Sequence, residues 1–178
     1  MAGEANVNFV VTVRLAGPED ADAIGRVQVE SWRAAYTGLM PDETVAEFDV
    51  ESRQQLWREG LARTPRPGSA TFVVEDAGDV VGFASLGASR EADAEHEAEL
   101  YAIYLHPSCW GRGIGRALLQ RAEESMRASG FRRGILYVLE GNERGERFYR
   151  SAGWEPDGSK VDRFQGTTVT EIRYRKRL

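Results

Sequence analysis

From Ala98 to Leu105 the chain is apolar and aromatic apart from Glu99. Pro107 breaks that run, and Trp110-Gly111-Arg112-Gly113-Ile114-Gly115 then leads into residues that are apolar at four-residue steps. Few arrangements accept this succession of a strand, a break, a glycine-rich turn and an amphipathic helix. Gly111, Gly113 and Gly115 free the backbone for positive φ and close approach. The helix that follows directs its unpaired N–H groups back toward the loop. The result is a socket for an anion, and phosphate suits it, because Trp110 to Arg121 holds Arg112, Arg116 and Arg121 with no acidic residue.

The spacing narrows the choice of phosphate. A dinucleotide fingerprint needs a third glycine where Arg116 stands, and Arg116 is too large for close helix–strand packing. A mononucleotide P-loop needs lysine and a hydroxyl where the chain has Arg116-Ala117. The pattern resembles instead the GNAT superfamily of acyl-coenzyme A dependent N-acyltransferases. There, a strand carrying an acid leads into Gln/Arg-x-x-Gly-x-Gly/Ala and a helix, and Gly113 and Gly115 match the two glycines. Trp110 departs from the pattern, standing where the family has Gln or Arg. The resemblance implies that the coenzyme A pyrophosphate lies on the loop formed by Trp110, Gly111, Arg112, Gly113, Ile114, Gly115 and Arg116. Most of those contacts come from backbone, so binding is expected to survive the tryptophan.

At 178 residues the chain suits one domain with a good-sized core, here 1–178 with its core at about 10–175. A net charge of −5 argues against nucleic acid as partner. The single cysteine, Cys109, excludes an internal disulfide, which suits a reducing cytoplasm. Residues 1–6 show no basic region followed by an apolar one, and no apolar run is long enough to span a membrane. His96 and His106 are isolated, with no Cys or carboxylate at metal-ligand spacing, so no metal is expected.

Val7–Leu15 reads as a first strand, and Gly17-Pro18-Glu19-Asp20 opens a helix ended by Gly38 and Pro41. Two shorter helices follow, around Asp42 to Phe48 and Ser52 to Ala62. A hairpin pairs Thr71–Glu75 with Val80–Leu86, and a polar link leads to the strand ending at Leu105. Beyond the glycine loop, Ile114, Leu118, Ala122 and Met126 repeat until Gly130 stops the helix. Gly134–Leu139 reads as a buried strand parallel to its predecessor. A short helix runs from Arg144 to Ser151, and Trp154 to Ser159 and Thr168 to Arg175 close the chain. This order is similar to the GNAT fold. That is an α/β (α+β) architecture with one central mixed, mostly antiparallel sheet, splayed between two parallel strands and carrying helices on both faces.

The resemblance assigns roles. Glu99, eleven residues before Trp110, matches the catalytic glutamate of the histone-acetylating branch and is the candidate general base. As an alternative it is a solvated hairpin carboxylate. The backbone of Ile103 and Leu105 is expected to hold the acyl-pantetheine arm, unless both residues simply pair within the sheet. Asn142, Phe148-Tyr149 and Gly153-Trp154 resemble the family's Asn…Phe-Tyr-x-x-x-Gly-Phe motif. On that reading Asn142 and Phe148 bind the cofactor, and Tyr149 is the general acid for the departing thiolate. The plainer reading of Tyr149 is core packing.

Trp32, Arg33, Tyr36 and Trp57 come from helices that usually wall the acceptor pocket. Trp32 and Tyr36 are candidates to hold a cationic amine, with ordinary packing as the alternative. The alternating acids Glu91, Asp93, Glu95, Glu97 and Glu99 either attract such an acceptor or form a solvated loop. Arg173, Arg175, Lys176 and Arg177 either touch a phosphate or are solvated. Cys109 reads as a packed thiol.

Together these imply acetyl transfer from acetyl-CoA to a primary amine of a small molecule or peptide, in a monomer or homodimer. The alternatives are a non-catalytic acyl-CoA sensor and a nucleotide-binding oxidoreductase.

Overall fold

The computed structural model describes residues 11–164 and 166–178. Of the first strand, β1 (Val11–Leu15) is seen, and its expected start at 7–10 lies outside the described residues, as does the segment 1–6. Three helices follow: α1 (Ala21–Tyr36), α2 (Asp42–Ala46) and α3 (Val50–Leu61). Next come β2 (Ala70–Asp76), β3 (Asp79–Ala88), β4 (Ala98–Leu105), α4 (Ile114–Ala128), β5 (Arg133–Leu139) and α5 (Glu143–Ser151). The closing strands, β6 (Glu155–Phe164) and β7 (Thr167–Arg177), are longer than the sequence suggested. Their alternation is masked because the face of β6 is almost wholly exposed.

The seven strands form one sheet in the order β1-β2-β3-β4-β5-β7-β6. Every neighbouring pair is antiparallel except β4 and β5. Strand alternation divides the core in two. Phe72 and Val74 face α4, where Ile114, Leu118, Ala122 and Met126 are buried at the predicted four-residue steps. Val73, between them, faces Ile24 and Val27 of α1. Trp32 belongs to this second side, stacked 4.6 Å from Phe48 and 5.2 Å from Phe164.

The parallel pair is short. Only Ala98, Glu99 and Leu100 pair with Gly134, Ile135 and Leu136. At the same level β4 is bulged against β3, for Leu100 pairs with Leu86 and Ala102 with Ser85, leaving Tyr101 over. An extra residue bends the strand that carries it, so β4 leaves β5 directly past Leu100. Tyr101 is held by donating its hydroxyl to the Ala88 carbonyl at 2.6 Å. Its ring lies where a side chain at position 87 would be, and so requires Gly87.

Three of the alternating acids pair with bases of β6 and β7, a pairing hidden by separations of 69, 80 and 78 positions. Asp93 takes Arg173 at 2.7 Å, Glu97 takes Arg175 at 2.9 Å, and Glu91 takes Lys160 at 3.0 Å.

At the other end Asp20, almost fully buried, accepts from Arg14 at 2.7 and 2.8 Å and from the Gly17 N–H at 2.7 Å. The Arg14 guanidinium, aided by that N–H, holds the Asp20 carboxyl below its usual range. A depressed folded-state pKa stabilises the fold above the unfolded value and is lost as pH falls through the folded one. Asp20→Asn is therefore expected to cost about 1–3 kcal/mol at neutral pH. The gap from wild type should narrow below about pH 4, as read by denaturant midpoints across pH. A gap independent of pH would remove the ion pair from the explanation.

Candidate active site

Where β4 and β5 part, the space between them is a cavity of about 380 Å³. Its walls are Ile103, Tyr104 and Leu105 from β4, Tyr137 and Val138 from β5, and Ser31 and Tyr36 from α1. Trp110, Gly111, Gly113, Gly115 and Arg116 line the end toward α4, and Asn142, Arg144, Phe148 and Tyr149 the side toward α5. No carboxylate lines it among the described residues.

The Leu105 carbonyl accepts from the Trp110 indole at 2.7 Å and the Ser31 hydroxyl at 2.8 Å. The next residue, His106, turns its N–H to Val81 of β3 at 2.7 Å. Residues two apart in a strand present their N–H and C=O to the same side. Ile103 therefore directs its backbone into the gap as Leu105 does, where β5 offers no partner. The Leu105 carbonyl already has two donors, so of its backbone groups it is the N–H that is left unpaired among the described residues.

Gly113 caps α4 in the left-handed region at φ 80°, a conformation that side chains resist. The N–H groups of Gly111, Gly113, Ile114 and Gly115 meet no backbone acceptor among the described residues. They open the fifteen-residue α4 toward the cavity. Unpaired amides together with the positive helix end form an anion socket. Of the three arginines read into it, Arg116 lines the cavity and donates to the Ser151 carbonyl at 2.9 Å. Arg112 instead pairs with Asp76 at 2.9 Å, and Arg121 lies over the Phe72 ring. Ile114 is buried in the core and contributes its backbone only.

Asn142 caps α5 by accepting from the Gly145 N–H at 3.0 Å. That cap sets the helix so that Phe148 and Tyr149 turn to the cavity. Tyr149 is 9% exposed, and its hydroxyl makes no hydrogen bond among the described residues. Burial, with the nearby Tyr36, pushes this phenol well up, so it keeps its proton. Burial raises Tyr36 and Tyr104 as well. Glu171, half-buried behind them, is raised by burial too.

Glu99 is elsewhere. It is 2% exposed, accepts from the Arg90 backbone N–H at 3.0 Å, and forms an ion pair with the Arg90 guanidinium. It does not line the cavity, and it is not solvated either. Trp32 is also absent from the lining because stacking with Phe48 and Phe164 consumes its faces, whereas Tyr36, one turn on, reaches it. Trp57 packs edge-on against Phe83, and Arg33 donates to the Phe48 carbonyl.

Sequence reading missed Ser31, Tyr104, Tyr137 and Arg144. Ser31 had one signal, a hydroxyl on an otherwise apolar helix face. Arg144 had another, a cation in the first turn of a helix.

A sequence model of the acetyltransferase (GNAT) family matches residues 29–154. The chain is 35% identical over 134 residues to YuaI, an uncharacterized N-acetyltransferase of Bacillus subtilis, covering 75% of this chain and 74% of YuaI. It is 29% identical over 155 residues to a spermidine N(1)-acetyltransferase of Thermoplasma acidophilum, covering 84% and 92%. In fold it is similar to the crystal structure of PaiA N-acetyltransferase from T. acidophilum in complex with coenzyme A. That match has a TM-score of 0.69 and 23% identity, and covers 94% of this chain and 99% of the other.

Proposed function

Because this chain belongs to the acetyltransferase (GNAT) family and is an N-acetyltransferase, we propose that it moves an acetyl group from acetyl-CoA to a primary amine by direct attack in a ternary complex. The acceptor is a small molecule or peptide. The observation that carries this reading is the gap between β4 and β5, with a phenol on one wall and helix amides at one end that are unpaired among the described residues. The expected alternatives of a sensor module and of an oxidoreductase give way to this family membership.

The residues present suit acetyl-CoA. A Cβ at Gly111 or Gly113 would meet nothing within 4 Å, so the amide socket is open to a diphosphate. The Ile103 backbone offers strand-type hydrogen bonds to an extended arm. The thioester supplies an activated acyl carbon. The Ile103 N–H takes the negative charge that develops on the acyl oxygen. Tyr149 gives its hydroxyl proton to the leaving sulfur as the C–S bond breaks and the C–N bond forms, and the proton lost by the attacking amine returns to the phenolate through water.

A relative named for spermidine supports a cationic acceptor.

The direct test is release of free thiol from acetyl-CoA across a panel of amines, with the acetylated amine identified by mass. Amine-dependent release is expected, and no release with any amine would overturn the reading. Glu99→Gln separates the proton's route. With its carboxylate held by Arg90, the variant is expected to leave the acid limb of the rate profile in place and to lower stability. A displaced acid limb would return the base role to Glu99.

A further inference from the structure

Trp110 and Arg144 form a unit for which neither the fold nor the sequence motif has a use. The Arg144 guanidinium lies 3.7 Å from the centroid of the Trp110 ring, and both side chains line the cavity. The indole is fixed in turn by its hydrogen bond to the Leu105 carbonyl. Arg144 occupies the first turn of α5, where a positive charge opposes the helix dipole. The other two arginines of α5 have carboxylates one turn away, Arg147 with Glu143 at 2.9 Å and Arg150 with Glu146 at 3.7 Å. Arg144 has no such partner among the described residues. A guanidinium set against a helix N-terminus, stacked on a rigid indole and lacking a counter-ion is in the state that an anionic ligand corrects.

We propose that Arg144, held on the Trp110 ring, is a phosphate-binding residue that grips the acyl donor's diphosphate from α5, opposite the amides at the start of α4. The inference rests on the acetyl-CoA reading above. It assigns to an arginine on another helix the polar contact that the Trp110 side chain cannot make from its own position, since its only side-chain N–H is given to Leu105.

Calorimetric titration of Arg144→Gln, Arg144→Lys and wild type with CoA, dephospho-CoA and acetyl-pantetheine tests it. A charge-assisted contact of this kind predicts a loss of about 10- to 100-fold in CoA affinity for Arg144→Gln. The loss should be the same for dephospho-CoA, which lacks only the 3′-phosphate, and absent for acetyl-pantetheine, which has no phosphate. Arg144→Lys should fall between, keeping charge but losing the planar stack. Ligand-free Arg144→Gln should melt no lower than wild type, because the variant removes a charge that opposes the dipole. Unchanged CoA affinity would overturn the proposal, and so would a loss confined to CoA, which would move the contact to the 3′-phosphate. If wild type binds none of the three, the acetyl-CoA reading itself fails, an outcome distinct from both.

Discussion

Tyr149→Phe is expected to lower kcat by about 10²- to 10⁴-fold, the range for loss of a positioned general acid, while leaving the affinity for acetyl-CoA unchanged. The expectation follows from what the hydroxyl does not do. It bonds to no described residue, so its removal leaves no orphaned partner and the ring keeps its packing against Phe148, Trp154 and Tyr174. Stability should therefore hold, and the loss should appear in the chemical step alone. Burial and the neighbouring Tyr36 keep the phenol protonated, so no alkaline limb near neutrality belongs to it. Single-turnover rates at saturating acetyl-CoA, for wild type and variant, are the measurement. An unchanged rate would take Tyr149 out of the reaction.

The largest loss of stability is expected at Lys176. Its ammonium donates to both oxygens of Glu123 at 2.7 Å and to the Ala152 carbonyl at 2.7 Å. Glu123 is 5% exposed and also accepts from the Trp154 indole at 2.9 Å and from Arg127 at 3.3 Å. This cluster ties α4 to β7 and to the turn after α5, and so holds together the two helices that border the cavity. Lys176→Met strands most of a buried carboxylate's compensation, at a cost of about 3–5 kcal/mol. Adding Glu123→Gln removes the charge but keeps an acceptor for the indole, so the double variant should regain most of the loss. Urea midpoints with unchanged m-values decide it. A double variant no more stable than Lys176→Met would show that the lysine acts through packing of its chain.

The element order was legible because it is written locally. Hydrophobic steps at Ile114, Leu118, Ala122 and Met126, and stop signals at Gly38 and Gly130, depend on neighbours within a few turns. The glycine loop was legible for the same reason. The fate of individual side chains was not. Trp32 and Tyr36 look alike four residues apart, yet one is consumed by Phe164, which arrives from β6, and the other reaches the cavity. Glu99 reads as a lone acid on an apolar strand until the loop from β3 returns Arg90 to it.

By itself the sequence determined the strand, the glycine turn and the helix, and with them the amides and positive φ values that make an anion socket. These are properties of backbone and of residues close in the chain. The tertiary structure alone decided which charges are spent and which remain. Arg112 goes to Asp76, and Asp93 and Glu97 to the closing strand, while Arg144 comes to rest on Trp110 and the Tyr149 hydroxyl has no partner among the described residues. The reason is physical: an ion pair or a stack is settled by distances of a few ångströms between residues tens of positions apart, and those distances do not exist until the sheet has closed.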